Sequence, residues 1–301
     1  MADSAVEEDQ RLRRPGGIRS LRLGGTTATY VPDGAVQLPP RGWLPGTTDE
    51  TWAAHPQYLD TSGSLTASIG GLLIETGDHA LLIDAGFGPL SLPPDPATPR
   101  GAIHGGALLD NLAKLGRRPQ DIDAVAFTHL HPDHIGWAWN PAPGDDQPAF
   151  AHASYLVTEP EWAQRHYPEQ HGLTTEIITT LGPHVRTVTD GQEVFPGLHV
   201  RITGGHTPGH AEYILTAGGQ RLIAFGDTLH SPIQTGHPEW SAAVDHDPAQ
   251  SAGHRRRLIA ELAEPGTTGF GIHFADVQFG HVSRDGSTPA WQPLDTGANT
   301  E

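Results

Sequence analysis

Apolar positions recur along the chain with two periods, and together they predict strands and helices in alternation. Residues 18–31 alternate, with Leu21 and Leu23 followed by Ala28 and Tyr30 set against Thr27 and Thr29, as in a strand. Residues 66–76 and 80–83 are apolar runs on either side of Gly77-Asp78, the pattern of a hairpin. Leu108, Leu112 and Leu115 mark one helical face, closed by Gly116. Short strands follow over 123–128 and 154–158, and Pro160 suits the first turn of a helix over 159–166. The second half predicts strands at 185–188 and 198–203, a hairpin of 211–216 with 221–225, a helix over 248–262 and a strand at 268–272. Residues 36–61, rich in Pro, Gly and Trp, predict a long ordered loop that contributes to a binding site. Residues 1–15 read as a charged, disordered lead-in, and 16–301 as one domain. Hairpins are frequent, so an α+β fold on mixed sheets is expected rather than a purely parallel one.

Composition removes several classes. No cysteine occurs, which excludes disulfides, iron–sulfur clusters and thiol nucleophiles and restricts any metal site to nitrogen and oxygen ligands. Thirty-five acidic against 18 basic residues oppose a nucleic-acid partner, since backbone phosphates require a basic surface. No apolar run reaches the roughly 20 residues needed to span a bilayer, and the start of the chain lacks the pattern of a signal peptide. A cytoplasmic protein without membrane partners is the expectation, and a homodimer is compatible with it.

The arrangement of the 19 histidines then changes the picture. Thr128-His129-Leu130-His131-Pro132-Asp133-His134 gathers imidazoles and a carboxylate, the ligands that zinc and similar ions take where thiolates are absent. At a strand end, His129 and His131 would share a side by the period of two, and Pro132 would turn the chain so that Asp133 and His134 face elsewhere. That is too many ligands for one tetrahedral ion, and two adjacent ions are expected. His206, Asp227 and His273 each follow an apolar strand beside glycine and are read as the completing groups. A lone His or Asp after a strand is usually a turn residue; the combination is what carries the argument.

These residues resemble the HxHxDH signature of the metallo-β-lactamase superfamily, and the correspondence runs from the Asp84 turn to His273. The resemblance implies an αβ/βα sandwich of two mixed sheets with helices on the outer faces. One ion would take His129, His131 and His206, the other Asp133, His134 and His273, and Asp227 would bridge them. Asp84 would support the site by hydrogen bonding. Zinc is the first choice of ion, with manganese, iron, cobalt or nickel as alternatives. Lack of cysteine argues against antibiotic hydrolysis. The short stretch after His273 argues against the helical domain of glyoxalase II-type thioesterases, the acidic charge against the nuclease branch, and chain length against a flavodiiron protein. The lactonase and methyl parathion hydrolase branch is what the chain resembles most, through Trp52, residues 226–232 and residues 245–247 leading to Arg255.

The implied reaction is hydrolysis of an ester-type bond in a small molecule, with lactones ahead of aryl esters and phosphotriesters. Two ions would lower the pKa of bound water from about 16 to about 7 and so supply hydroxide. Asp133, Asp227 and His230 are the candidate catalytic residues: Asp227 as the bridge, Asp133 as a ligand able to accept a proton, His230 as a proton-handling or supporting group. His210 is read as structural. Trp43, Trp52 and Phe87 are candidate pocket walls, and Arg255, Arg256 and Arg257 a solvated face with one salt bridge. The rival reading is a mononuclear iron sulfur dioxygenase of the same fold; a non-catalytic metal-binding protein comes third.

Overall fold

A computed structural model describes residues 10–166, 172–286 and 288–294. The first sheet begins with β1 (Arg19–Leu23) and β2 (Thr26–Leu38), followed by the short helices α1 (Pro40–Trp43) and α2 (Asp49–Ala54). β3 (Leu65–Thr76) and β4 (His79–Ile83) form the expected hairpin about Gly77-Asp78. Next come β5 (Ser91–Leu92), β6 (Ile103–His104), α3 (Leu108–Lys114), β7 (Ala124–Ala126) and α4 (Pro132–Trp139). β8 (Ser154–Thr158), α5 (Glu159–Ala163), α6 (Thr175–Leu181) and β9 (Val185–Val188) complete this half. The nine strands run β5-β6-β2-β3-β4-β7-β8-β9, with β1 beside β2, and pairing changes from antiparallel to parallel at β4–β7.

The second sheet has seven strands in chain order: β10 (Glu193–Phe195), β11 (Leu198–Ile202), β12 (Ala211–Ala217), β13 (Gln220–Ala224), β14 (Thr267–Phe270), β15 (Phe279–Ser283) and β16 (Ala290–Pro293). Helix α7 (Pro248–Leu262) connects β13 to its parallel neighbour β14. It starts at Asp247, whose carboxylate accepts the Gln250 N–H, with Pro248 in the first turn.

The layers follow from strand alternation. On β3, Leu72 and Ile74 face the second sheet and pack with Tyr213, Leu222 and Phe270. Leu73 faces the other way, into a core with Leu108, Leu112, Ile135 and Trp137 from the helices. A strand covered on both faces reads as an unbroken apolar run, which is why 72–74 shows no polar position. On the far side, Ile223 and Phe225 pack under Leu258, Ile259 and Leu262 of α7. The result is helix, sheet, sheet, helix, the expected αβ/βα sandwich.

Four expectations require correction. Residues 36–61 are not one loop: β2 continues to Leu38 and two helices follow, α2 being capped by the reciprocal Thr48 and Thr51 hydrogen bonds. Proline and glycine hid these short elements. Strand β7 ends at Ala126, so His129 and His131 are not related by strand alternation; His131 is the N-cap of α4, with Pro132 at its first position. Arg255 is fully buried rather than solvated. Of the supposed lead-in, residues 1–9 lie outside the described residues, whereas Arg11 is buried and Arg14 pairs with Asp276.

Asp33 ties the first sheet to its helices. A register shift between Pro32 and Gly34 bulges β2 and aims this carboxylate off the sheet. One oxygen accepts the N–H groups of Phe87 and Gly88 at 2.7 and 3.0 Å. The other accepts those of Gly106 and Leu108 and the Trp137 indole, all within 3.0 Å. One buried side chain thus fixes the Phe87 turn, the start of α3 and the middle of α4.

Candidate metal centre

Five loops bring the predicted residues to one edge of the sandwich, each at the C-terminal end of a strand. β4 leads to Asp84, β7 to 129–134, β11 to His206, β13 to Asp227 and β14 to His273. At the second of these, the chain turns into α4 at Pro132, so that Asp133 and His134 enter the site from the first turn of that helix. The loop holding His206 needs glycine at 205, whose φ is +136° and whose position leaves no room for a β-carbon beside Ser251.

The side chains form two clusters, His129, His131, His206 and Asp227 in one, and Asp133, His134 and His273 in the other. Within each cluster the potential ligand atoms lie within 4.8 Å of one another. His131 Nδ1 is 2.9 Å from His129 Nε2 and 3.1 Å from His206 Nε2. Asp227 stands between the clusters with one oxygen for each. Its Oδ2 is 3.2 Å from His206 Nε2 and 3.8 Å from His129 Nε2. Its Oδ1 is 3.3 Å from His134 Nε2 and 3.1 Å from His273 Nε2. Asp133 Oδ2 approaches His134 and His273 at 3.8 and 3.7 Å. All seven predicted metal residues are therefore together.

The donor set fits divalent ions. Asp227 Oδ1 and His134 Nε2 are buried without a hydrogen-bond partner, an arrangement that is costly unless something else occupies the space between them. The outward-facing ring nitrogens of His129, His134, His206 and His273 are engaged, which leaves their inward ones as metal ligands. His129 Nδ1 meets the Thr128 hydroxyl at 3.0 Å, His134 Nδ1 the Asp84 carboxylate at 2.9 Å, His206 Nδ1 Asp245 at 2.9 Å, and His273 Nδ1 the Ser68 carbonyl at 2.8 Å. Such partners orient a ligand ring and raise its basicity. Asp84 acts as expected, also accepting the Thr128 N–H; it adopts a positive φ of 61° that carboxylate hydrogen bonding holds in place.

Other supports surround these ligands, and of them Glu161 carries no signal in the sequence. Asp245 carries the load between His206 and Arg255, whose guanidinium is 3.2 Å away. Buried Glu161 accepts the N–H groups of Leu130 and Gly209 and the Thr207 hydroxyl, joining the His129 and His206 loops. His210 accepts the Asp227 N–H through Nε2 and so is structural, as read. His230 Nε2 lies 3.1 Å from Asp227 Oδ2 without hydrogen-bond alignment, and Trp43 packs edge-on against its ring at 5.1 Å.

The electrostatics set the proton content. Burial opposes charge on His206, yet Asp227 and Asp245 push its pKa up to about 9. His134 and His273 are likewise raised against burial, chiefly by Asp227, whereas burial lowers His129, His210 and His230. Burial would raise the Asp227 carboxyl, but His273, His134, His230 and His129 hold it well below its usual range. The metal-free cluster thus retains protons at neutral pH that an incoming ion must displace. Zinc loading of chelator-stripped protein should release protons, and affinity should weaken as pH falls; an affinity independent of pH between about 6 and 8 would contradict this.

A cavity of about 810 Å³ opens above the clusters. Asp133, Asp227, His230 and His273 form its floor, and Trp43, Phe87, Leu90, Ile103 and Ile177 line its apolar walls. Trp43 and Phe87 are walls as expected. Trp52 is not among the lining residues: it is buried beneath, with its indole donating to Thr47.

Comparison with known proteins agrees with this geometry. A model of the metallo-beta-lactamase superfamily matches residues 72–266. An N-acyl homoserine lactonase of Bacillus cereus is 26% identical over 161 residues, 50% of this chain and 59% of that protein. The chain therefore spans less than two thirds of the length of that relative. Metallo-beta-lactamase domain-containing protein 1 of Mus musculus is 28% identical over 247 residues, 78% of this chain and 73% of that one. Among solved structures, the dizinc quorum-quenching lactonase AidC in complex with a product superposes with a TM-score of 0.78 at 22% identity, covering 93% of this chain and 98% of its own. The hydrolase AbOPH superposes with a TM-score of 0.77 at 26% identity, covering 95% and 100%.

Proposed function

The chain belongs to the metallo-β-lactamase superfamily, and from that premise we propose that it is a dinuclear metal-dependent hydrolase of ester-type bonds in small molecules, lactones first. The observation that carries this reading is Asp227, which turns one oxygen to each of two complete His/Asp clusters at the floor of an apolar-walled cavity. Lactonases among the relatives support the choice of lactones over aryl esters and phosphotriesters. The completeness of the second cluster favours two ions over the single iron of a sulfur dioxygenase.

His129, His131 and His206 would hold one ion, Asp133, His134 and His273 the other, and Asp227 both; zinc suits these donors. When bound, the ions supply a hydroxide nucleophile at neutral pH and polarise the oxygen of the bond under attack. The chain's own residues do the rest. Asp227 spans the two clusters and would set the spacing of what they hold; its own position is held by the His210 hydrogen bond to its N–H. Asp133, less buried than the histidines around it, can take up a proton at its carboxylate. His230, on the cavity floor and with burial keeping its ring neutral, is placed to pass a proton to or from the substrate. Trp43 and Phe87 orient the apolar part of the substrate and exclude water.

Residues 16–301 are read as one domain, since both sheets share one core. Among the described residues no helix is long and apolar enough to cross a membrane.

A panel of lactones, aryl esters and phosphotriesters tests the function, with His131→Ala as control. Lactone turnover that disappears in the control supports it; no hydrolysis of any member by the metal-loaded wild type rejects it. His230→Ala should lower kcat about 100-fold while leaving two ions bound. An unchanged kcat would remove His230 from proton handling.

A further inference from the structure

The second cluster is wired to the N-terminal segment. His273 donates from Nδ1 to the Ser68 carbonyl at 2.8 Å. The hydroxyl of that same serine donates to the Ala275 carbonyl at 2.7 Å and accepts the Gly16 N–H at 2.8 Å. Ala275 has a φ of +43°, a conformation that a residue with a β-carbon rarely adopts unless its surroundings impose it. The next residue, Asp276, is 2% exposed and receives the segment's arginines. Arg14 and Arg19 each bind it through two nitrogens, Arg14 at Oδ2 and Arg19 at Oδ1, at 2.7 to 3.0 Å. Arg11 donates to its backbone carbonyl at 2.8 and 3.0 Å and accepts its N–H through its own carbonyl at 3.1 Å. Three arginines from residues 11–19 thus clamp the turn that begins at His273, and Gly16 reaches it through Ser68.

We propose that residues 10–19 form a strap that positions His273 and thereby sets the affinity of the Asp133–His134–His273 cluster, with the His129–His131–His206 cluster independent of it. The asymmetry is visible in the supports. His206 is held by Asp245, itself paired with Arg255 of α7, and among the described residues none of 10–19 hydrogen-bonds to it. Arg11, Arg14 and Arg19 are positioning residues: they act on the ligand through Asp276, Ala275 and Ser68. The inference rests on reading the second cluster as a metal site.

The test is zinc binding to the metal-free full chain, with the two sites separated by competition with graded chelator. Asp276→Ala and Ser68→Ala should each weaken one site about 10- to 100-fold and leave the other within about twofold. Each variant's surviving affinity should match that of His273→Ala rather than His131→Ala. Thermal unfolding of the metal-free Ser68→Ala chain should change far less than its second-site affinity. Two unchanged affinities in Ser68→Ala, or both weakened in parallel, would overturn the strap, whether or not Asp276→Ala folds. A wild type that binds a single ion would instead reject the two-cluster reading, and the strap with it.

Discussion

Asp227→Ala is expected to abolish most of the activity, lowering kcat/KM by about 1,000-fold or more. Several kcal/mol of transition-state stabilisation come from a correctly spaced pair of ions, and each 1.4 kcal/mol or so is a factor of ten. Asp227 turns one carboxylate oxygen to each cluster, with Oδ2 near His206 and Oδ1 near His134 and His273. Its removal also leaves two groups of buried imidazoles without the carboxylate that raises the pKa values of His134, His206 and His273. Steady-state hydrolysis and metal counting on the same sample check this. Retention of a tenth of the activity with both ions bound would show that Asp227 is not the bridge.

The second large effect concerns stability. Asp33→Ala should destabilise the fold by at least about 3 kcal/mol, because each buried donor left unpaired costs about 1–3 kcal/mol. Four backbone N–H groups and the Trp137 indole depend on this one carboxylate. Asp33→Asn should also be damaging, since one of its two acceptor positions becomes a donor facing donors. Denaturant unfolding measures both; a loss below about 1 kcal/mol in the alanine variant would mean that water replaces the carboxylate. Because Asp33 anchors the Phe87 turn and α4, cavity shape should suffer before the metal ligands do.

The difference between these two aspartates shows what a sequence makes legible. Asp227 follows a strand and a glycine, and it belongs to a set of strand-end ligands whose combination is chemically unusual. Asp33 sits inside a strand between Pro32 and Gly34, where nothing local distinguishes it from a turn residue; its role depends on donors 54 to 104 positions away. Backbone partners are invisible for the same reason, as with the Ser68 carbonyl on His273. The three arginines at 255–257 read as a solvated face, and only the fold reveals that Arg255 turns inward to Asp245. Helix α4 was within reach. Pro132 at its first position and Asp133 in its first turn are helix-start signals, and Ile135 and Ala138 follow at helical spacing. Four candidate ligands within six residues mask those helix-start signals. Strands β15 and β16 and helix α6 lay in segments where short apolar stretches are broken by glycine, proline or threonine, so neither period could establish itself.

The histidine and aspartate positions therefore define the floor of the site, while its supports and walls emerge from long-range packing. The most direct measurement of the central claim is metal content per chain after purification without chelator and after reconstitution with zinc. Two ions per wild-type chain, falling to one or none in Asp227→Ala, is the predicted result. One ion per wild-type chain at saturating zinc, or one iron with oxygen uptake in place of hydrolysis, would contradict it.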